Sequence, residues 1–439
     1  MFLSNDTIDR LQTTLGDDLI AFTPELVLCG GIVLLLLLRL FTGLNRVHLG
    51  WVALAVTVAG LLAAVSQWLG GYGLATPAEF LGLRGRRPDL FTGLLVYDNF
   101  TLFLRLFLLG FTALVIWLTL LTGIPDTEDS ADFYTLLLGA VVGMSLMASA
   151  NHLLMVWVGV EMASLPSYAL AGFLKGRRQS SEASLKYVVY GGGASGIMLY
   201  GISLLAGKFG TAYLPDLAAG YVAALHPTEG ALPIDPILLL ATLFVLIGVG
   251  FKLAAVPFHF WCPDVFEGAS AEVAGFLSVA SKGAALALLG RVVIALTGLD
   301  PALRVAPENW LSLARFLVPA VAAFAALTAT FGNLAAYLQT NLKRLLAYST
   351  IAHAGYMMMG LAALVGTSDP TAPPAEQQIY YKGAGAVLFY LVAYLFMNLG
   401  AFALVAFIRN LTGSEDLNDL RGLIYRAPLL VITLGIFLL

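Results

Sequence analysis

Apolar residues run along this chain in long blocks separated by short polar linkers. An α-helix rises about 1.5 Å per residue, so about 20 apolar residues cross the hydrocarbon core of a bilayer. The blocks fall at roughly 21–41, 50–70, 98–122, 133–149, 152–173, 184–206, 234–257, 271–297, 313–337, 342–366, 383–409 and 428–439. They predict an all-α fold, a polytopic membrane helix bundle of about twelve spans. The last block, from Ala427, stops at Leu439 well short of a full span, so the sequence is read as truncated, lacking its last helices. Most linkers are short, such as 123–132 and 175–181. Two are longer: 71–97, with Arg84, Arg86 and Arg87, and 207–233. No linker divides the chain, so 1–439 is read as a single integral membrane domain.

Composition agrees with this pattern. The chain of 439 residues is 59% hydrophobic and 11% charged. Soluble domains carry about 25% charged residues, so this chain could not cover a water-facing surface. The net charge of -4 names no partner, and no basic face suggests nucleic acid. Cys29 and Cys262 are far apart in apolar sequence, which excludes a metal or cluster set and a disulfide framework. The acidic start lacks the marks of a cleaved signal, so the first apolar block is read as a retained span. Lys and Arg in alternate loops lean toward an outside N-terminus.

Charges inside the apolar blocks are the candidate chemistry. Each costs at least ~2.5–3.5 kcal/mol at the centre of a span, so a function is the default explanation. Four stand out: Glu161, Lys186, Lys252 and Lys282. Glu161 is near mid-depth of its block, and Lys186 opens the next one across a short loop. The two helices should be antiparallel neighbours, with Glu161 and Lys186 as ion-pair partners. Glu182, one turn earlier, should help hold that helix end in water. Lys252 lies in GFKLAAVPFHFW, after Gly248 and Gly250 and before Pro257. Proline removes a backbone donor and interrupts the helix, freeing carbonyls that only protein or internal water can satisfy. Interrupted helices near mid-membrane are where transporters bind ions. Lys282 lies deep in its block among Ala280, Ser281, Gly283 and Ala284, where other backbones can approach closely. The alternatives are a structural salt bridge for Glu161 and snorkelling for the lysines. Arg39 and Arg105 are read as snorkelling from helix ends. His259, after Pro257, and His353, within a later helix, are either relay members or satisfied structural donors. Charges on four consecutive blocks suggest a proton relay.

Gly191–Gly196 matches G-x-G-x-x-G, but it lies within a span, where close helix packing explains it better than a dinucleotide. No P-loop and no hydrolytic nucleophile set is present, so ATP bound to this chain is not the driving force.

The run GFKLAAVPFHFWCPDVFEGA, the following FLSVASK, and QTNLKRLLAYSTIAHAGYMMMGLAAL carry a resemblance. They resemble the antiporter-like subunits of proton-translocating NADH–quinone oxidoreductase, respiratory complex I. The wording is similar to subunit N rather than L or M, and TPELVL and SLMASANHLLMVWVGVEMASLPSYALAGF fit the same subunit. The resemblance runs from about residue 20 to 439. It implies inverted five-helix repeats, each with a broken helix. The segment 20–122 would hold the N-terminal spans, 133–297 the first repeat and 313–439 an incomplete second repeat. It carries Glu161, Lys186, Lys252 and Lys282 into a proton path. Glu161 and Lys186 would tune the charge on Lys252, and Lys282 would pass the proton toward the centre. It implies no cofactor in this chain; NADH, FMN, iron–sulfur clusters and quinone would be handled by other subunits. The partners implied are antiporter-like and small membrane subunits and the lipid bilayer, in a bacterial plasma (inner) membrane. The chain departs from the family at Ser270 and Glu272, where prolines are usual, and Glu272 is read as a water-facing end charge or a local modifier of the relay. A further charged residue on the second broken helix cannot be placed. The alternatives are a cation/proton antiporter subunit, a membrane subunit of an energy-converting hydrogenase, and a structural scaffold.

Overall fold

The computed structural model describes residues 14–40, 48–69, 89–225, 235–297, 307–366 and 374–438. Arg84, Arg86 and Arg87 lie outside the described residues. The chain is helical almost throughout. In order come α1 (Thr14–Ala21), α2 (Thr23–Arg39) and α3 (Gly50–Leu69). A small antiparallel hairpin, β1 (Asp89–Leu90) and β2 (Leu95–Val96), leads into α4 (Asn99–Thr122). Then follow α5 (Ser130–Ser149), α6 (Leu153–Ala171), α7 (Arg178–Phe209), α8 (Leu214–Leu225) and α9 (Pro236–Leu253). After a break come α10 (Trp261–Gly268), α11 (Ala271–Phe276), a π-helical turn (Leu277–Ser281) and α12 (Lys282–Thr297). The chain continues with α13 (Pro307–Ala336), α14 (Leu342–Gly366), α15 (Pro374–Thr412), α16 (Leu423–Arg426) and α17 (Pro428–Leu438).

Among the described residues nine helical spans are long and apolar enough to cross a membrane, or ten if α1 and α2, bent by 71°, count as one. The sequence pattern gives about twelve. The difference includes α14, which is 25 residues long but carries Lys343, Arg344, Thr350, His353 and two tyrosines. It also includes α17, only 11 residues long.

Local chemistry explains where the helices start and stop. Asp98 caps α4 by accepting the Thr101 N–H at 2.8 Å, and Asp235 caps α9 through Ile237 with Pro236 at the first position. Ala254, at φ +56°, closes α9 ahead of Pro257. Ser270 then caps α11 through Val273 N–H at 3.3 Å.

The span from Ala271 to Val293 is buried along its whole length. It is the bundle's central rod, packed on α4, α5, α14 and α15. Beside it α5 and α6 approach closely: a Cβ at Gly143 would lie 2.3 Å from the Ala163 nitrogen. The glycine run of α7 behaves differently from the sequence reading. A Cβ at Gly191 would meet the Tyr168 hydroxyl at 2.0 Å, but Gly192, Gly193 and Gly196 face open space. Close packing accounts for one of the four.

One charge is also placed differently. Arg105 does not snorkel. It is 1% exposed and its Nε donates to Glu25 at 2.6 Å, with Nη1 on the Ala21 carbonyl at 3.0 Å. A local carboxylate pairs with the guanidinium where it stands, although Nη2 has no partner, so the charge is compensated inside the bundle rather than at the water interface. Arg39, half exposed at its helix end, pairs with Asp132. Arg291 makes a second buried pair, holding both Asp98 oxygens at 2.5 and 2.6 Å.

Candidate functional site

The break between α9 and α10 brings two buried lysines together. Lys252, at the end of α9, and Lys282, at the start of α12, are both 0% exposed. Lys252 Nζ donates to Ser164 Oγ at 3.0 Å, and that hydroxyl donates onward to the Val160 carbonyl at 2.6 Å. Lys282 Nζ donates to the Lys252 main-chain oxygen at 3.4 Å and sits 4.6 Å above the Trp261 ring. Trp261 Nε1–H donates to the Phe251 carbonyl at 3.0 Å. The interruption leaves the Lys252 carbonyl to the Lys282 amine, while the Phe251 carbonyl accepts both the Ala254 N–H, at 3.0 Å, and the Trp261 indole. Neither amine has a carboxylate within ion-pair distance among the described residues.

Glu161 is on α6, three residues before Ser164 and so on the same helix face. Its Oε1 is buried without a hydrogen-bond partner. The expected Glu161–Lys186 pair does not form. Lys186 Nζ instead holds Asp264 at 2.7 Å and Glu182 at 2.8 Å. The neighbouring Tyr187 explains this: it fills the seam between α6 and α7 against Tyr168, with centroids 4.6 Å apart. Adjacent residues on a helix point about 100° apart, so Lys186 is turned away from that seam toward α10.

The two histidines have different settings. His259 is buried in the break against Phe331, centroids 4.5 Å apart, and its Nδ1 has no partner. No hydrogen bond joins it to either lysine. His353 Nδ1 lies 2.5 Å from Tyr390 Oη. Its ring is 5.0 Å from that of Tyr394, whose hydroxyl donates to the Ser278 carbonyl at 3.4 Å. Ser278 belongs to the π-helical turn just before Lys282, and such turns recur at functional sites. Glu272 is not a water-facing end charge. It is 1% exposed in the first turn of α11, beneath α15 and α4, and its Oε2 has no partner.

Sequence reasoning missed Ser164, Trp261, Asp264, Arg344, Tyr390 and Tyr394. Ser164 could have been found from its spacing to Glu161. Trp261 stands in the same stretch as Lys252 but joins through the fold of the break, and the rest join through contacts between segments far apart in the chain. Among the described residues no group of three or more His, Cys, Asp or Glu side chains is placed to hold a metal ion.

A polytopic bundle in which a broken helix brings together two lysines without counter-ions among the described residues defines an antiporter-like membrane subunit. Residues 150–439 match the family described as NADH:quinone oxidoreductase/Mrp antiporter, TM. The chain is 41% identical to subunit N of NADH-quinone oxidoreductase from Anaeromyxobacter sp. (strain Fw109-5), over 95% of this chain and 75% of that protein. It is 38% identical to subunit N 2 from Sorangium cellulosum (strain So ce56), over 95% and 76%. Among solved structures it resembles a chain of respiratory complex I from Thermus thermophilus with bound aureothin. There the TM-score is 0.62 at 31% identity, covering 93% of this chain and 76% of that one. An archaeal membrane-bound sulfane sulfur reductase chain gives 0.73 at 21% identity, over 96% and 77%, a likeness of fold alone. The chain belongs to this oxidoreductase/antiporter family, and within it to the subunit N type of NADH–quinone oxidoreductase.

Proposed function

We propose that this chain translocates protons through its buried lysines, driven by electron transfer from NADH to quinone elsewhere in a multisubunit complex. The observation that carries the reading is the Lys252–Lys282 arrangement. Two amines without counter-ions among the described residues share one broken-helix pocket, and one donates to the backbone carbonyl of the other. A proton held on Lys252 can pass to Lys282 through a water or a small side-chain movement. From there Ser278, Tyr394, Tyr390 and His353 offer polar groups leading toward α14 and α15. Glu161 acts on Lys252 from the same face as Ser164. Lys186 acts from the Asp264 side rather than as the direct partner of Glu161.

In this reading the other membrane subunits of the complex and the lipid bilayer are the partners, and a bacterial plasma membrane is the location. NADH, flavin, iron–sulfur clusters and quinone are handled by other subunits, and this chain holds no redox centre. Catalysis of oxidoreduction belongs to the assembly.

The test is proton pumping and NADH–quinone electron transfer in membrane vesicles carrying Lys252→Ala in the assembled complex. Pumping should be lost or strongly reduced. Unchanged pumping with full assembly overturns the reading.

A further inference from the structure

The short helix α10 joins two sets of contacts. At its first residue, Trp261 lies under Lys282 Nζ and donates to the Phe251 carbonyl. The same ring stacks on Tyr187 at 4.3 Å with planes 6° apart. One turn later, Asp264 is shared between two cations. Its Oδ2 accepts from Lys186 at 2.7 Å and its Oδ1 from Arg344 at 2.6 Å. Arg344 also reaches Glu267, on the same helix, at 2.9 Å. The residue before it, Lys343, is buried and donates to the Ala269 carbonyl just past the end of α10 at 2.6 Å. The first turn of α14 therefore grips α10 by its flank and by its end.

Geometry makes this grip consequential. Trp261 and Asp264 are three residues apart, about 4.5 Å along a helix that is only about 12 Å long. A helix of that length moves as one body. Shifting Asp264 moves the indole beneath Lys282 and the donor that holds the Phe251 carbonyl. The Asp264 cluster also lines an open polar cavity of about 230 Å³, so charge arriving from outside can act on it.

We propose that Arg344 is a positioning residue for the Lys252–Lys282 pair, acting through Asp264 and α10. The cation comes from the 313–439 segment and the lysines from the 133–297 segment, so the contact couples the two. The inference rests on the proton-translocation reading above. Arg344 touches neither lysine, and its influence is mechanical and electrostatic.

The test uses vesicles carrying the assembled complex, with proton uptake and NADH oxidation measured together. Arg344→Gln should lower proton uptake about tenfold, the rate equivalent of one charge-assisted hydrogen bond. Arg344→Lys keeps a cation on Asp264 and should recover much of the loss. Asp264→Asn with Arg344→Gln should be no worse than the poorer single variant, because both act through one contact. Normal uptake in Arg344→Gln, absence of rescue by Arg344→Lys, or losses that multiply in the double variant each overturn the proposal. If Arg344→Gln does not assemble, the double variant replaces it, since the carboxylate is removed with the cation. Normal uptake there overturns the proposal equally. Lys252→Ala and Lys282→Ala are run alongside. If both pump normally, the translocation reading itself fails; if they lose pumping and Arg344→Gln does not, only the positioning role fails.

Discussion

Lys282 Nζ reaches the main-chain oxygen of Lys252 while resting 4.6 Å above the Trp261 ring. The ammonium is thus held by a backbone dipole and an aromatic face instead of a carboxylate. A carboxylate partner would form a tight pair and make proton transfer harder. A carbonyl and a ring hold the charge without trapping it. A buried cation–π contact is worth roughly 0.5–2 kcal/mol. Trp261→Leu removes both the ring face and the indole donor, whereas Trp261→Phe removes only the donor. Proton uptake by the assembled complex should fall about tenfold in Trp261→Leu and by a smaller factor in Trp261→Phe. Equal losses in the two variants would assign the effect to the Phe251 hydrogen bond alone.

The class of the fold and the two central lysines were legible in the sequence. Block length gives the spans, and Gly248, Gly250 and Pro257 mark the break beside Lys252. The partners were less legible. Chain order makes Glu161 the expected partner of Lys186, because their helices are neighbours in sequence, but Tyr187 occupies that seam and turns Lys186 to Asp264. For Arg105 the sequence suggests snorkelling, because hydropathy shows depth and not partners; Glu25 is 80 positions away. Glu272 opens a helix, which suggested water, yet α15 and α4 cover that turn. Each miss concerns a contact between distant segments, which periodicity does not encode.

Asp98 and Arg291 give a stability prediction away from the lysines. The carboxylate caps α4 and takes two hydrogen bonds from the guanidinium, which also donates to the Ala148 carbonyl at 2.9 Å and to Thr101 at 2.8 Å. The pair ties α4 to the central rod. Removing one partner of a buried pair leaves an uncompensated charge and costs about 3–5 kcal/mol. Arg291→Gln should therefore reduce the amount of this subunit in membranes and lower the thermal stability of the purified complex. Replacing both residues, as Asp98→Asn with Arg291→Gln, should be milder than Arg291→Gln alone. A double variant as unstable as the sum of the singles would show that the two side chains do not act as a pair.

His152 supplies a pH prediction at the cap just before the structural span Leu153–Ala171. It caps α6, its Nδ1 accepting the Leu154 N–H at 3.1 Å. Burial disfavours the charged imidazole and lowers its pKa from the usual value. Unfolded, it titrates near about 6.5. Above that pH both states are neutral and the cap contributes fully. As pH falls through about 6.5 the unfolded chain takes up the proton first, and stability declines until the folded pKa is passed. His152→Asn keeps a capping acceptor and does not titrate in this range. Thermal melts of the assembled complex at pH values between about 5 and 7.5 should show a smaller acid-side loss in the variant than in the native protein. Identical pH profiles would mean that the cap does not report on protonation.

The seam between α5 and α6 decides whether Glu161 and Ser164 stand where Lys252 can use them. That seam is built on small residues. A Cβ at Gly143 would lie 2.3 Å from the Ala163 nitrogen and 2.5 Å from the Met162 carbonyl carbon, and a Cβ at Gly159 would lie 2.9 Å from the Met147 nitrogen. These are backbone atoms, so a side chain cannot be accommodated by a rotamer change and the helices themselves must separate. Close approach of this kind is how membrane helices associate without a hydrophobic drive. Gly143→Ala should destabilise by about 1–3 kcal/mol or more, lower the assembled complex, and reduce proton uptake in whatever assembles, because α6 carries Ser164 away from Lys252. Gly192→Ala is the control. It faces open space within a helix, where alanine is preferred to glycine by about 0.5–1 kcal/mol, so assembly and pumping should be unchanged or slightly improved. If Gly143→Ala accumulates and pumps like the native protein, α6 can sit farther out without loss, and the Ser164–Lys252 hydrogen bond is not what positions the amine.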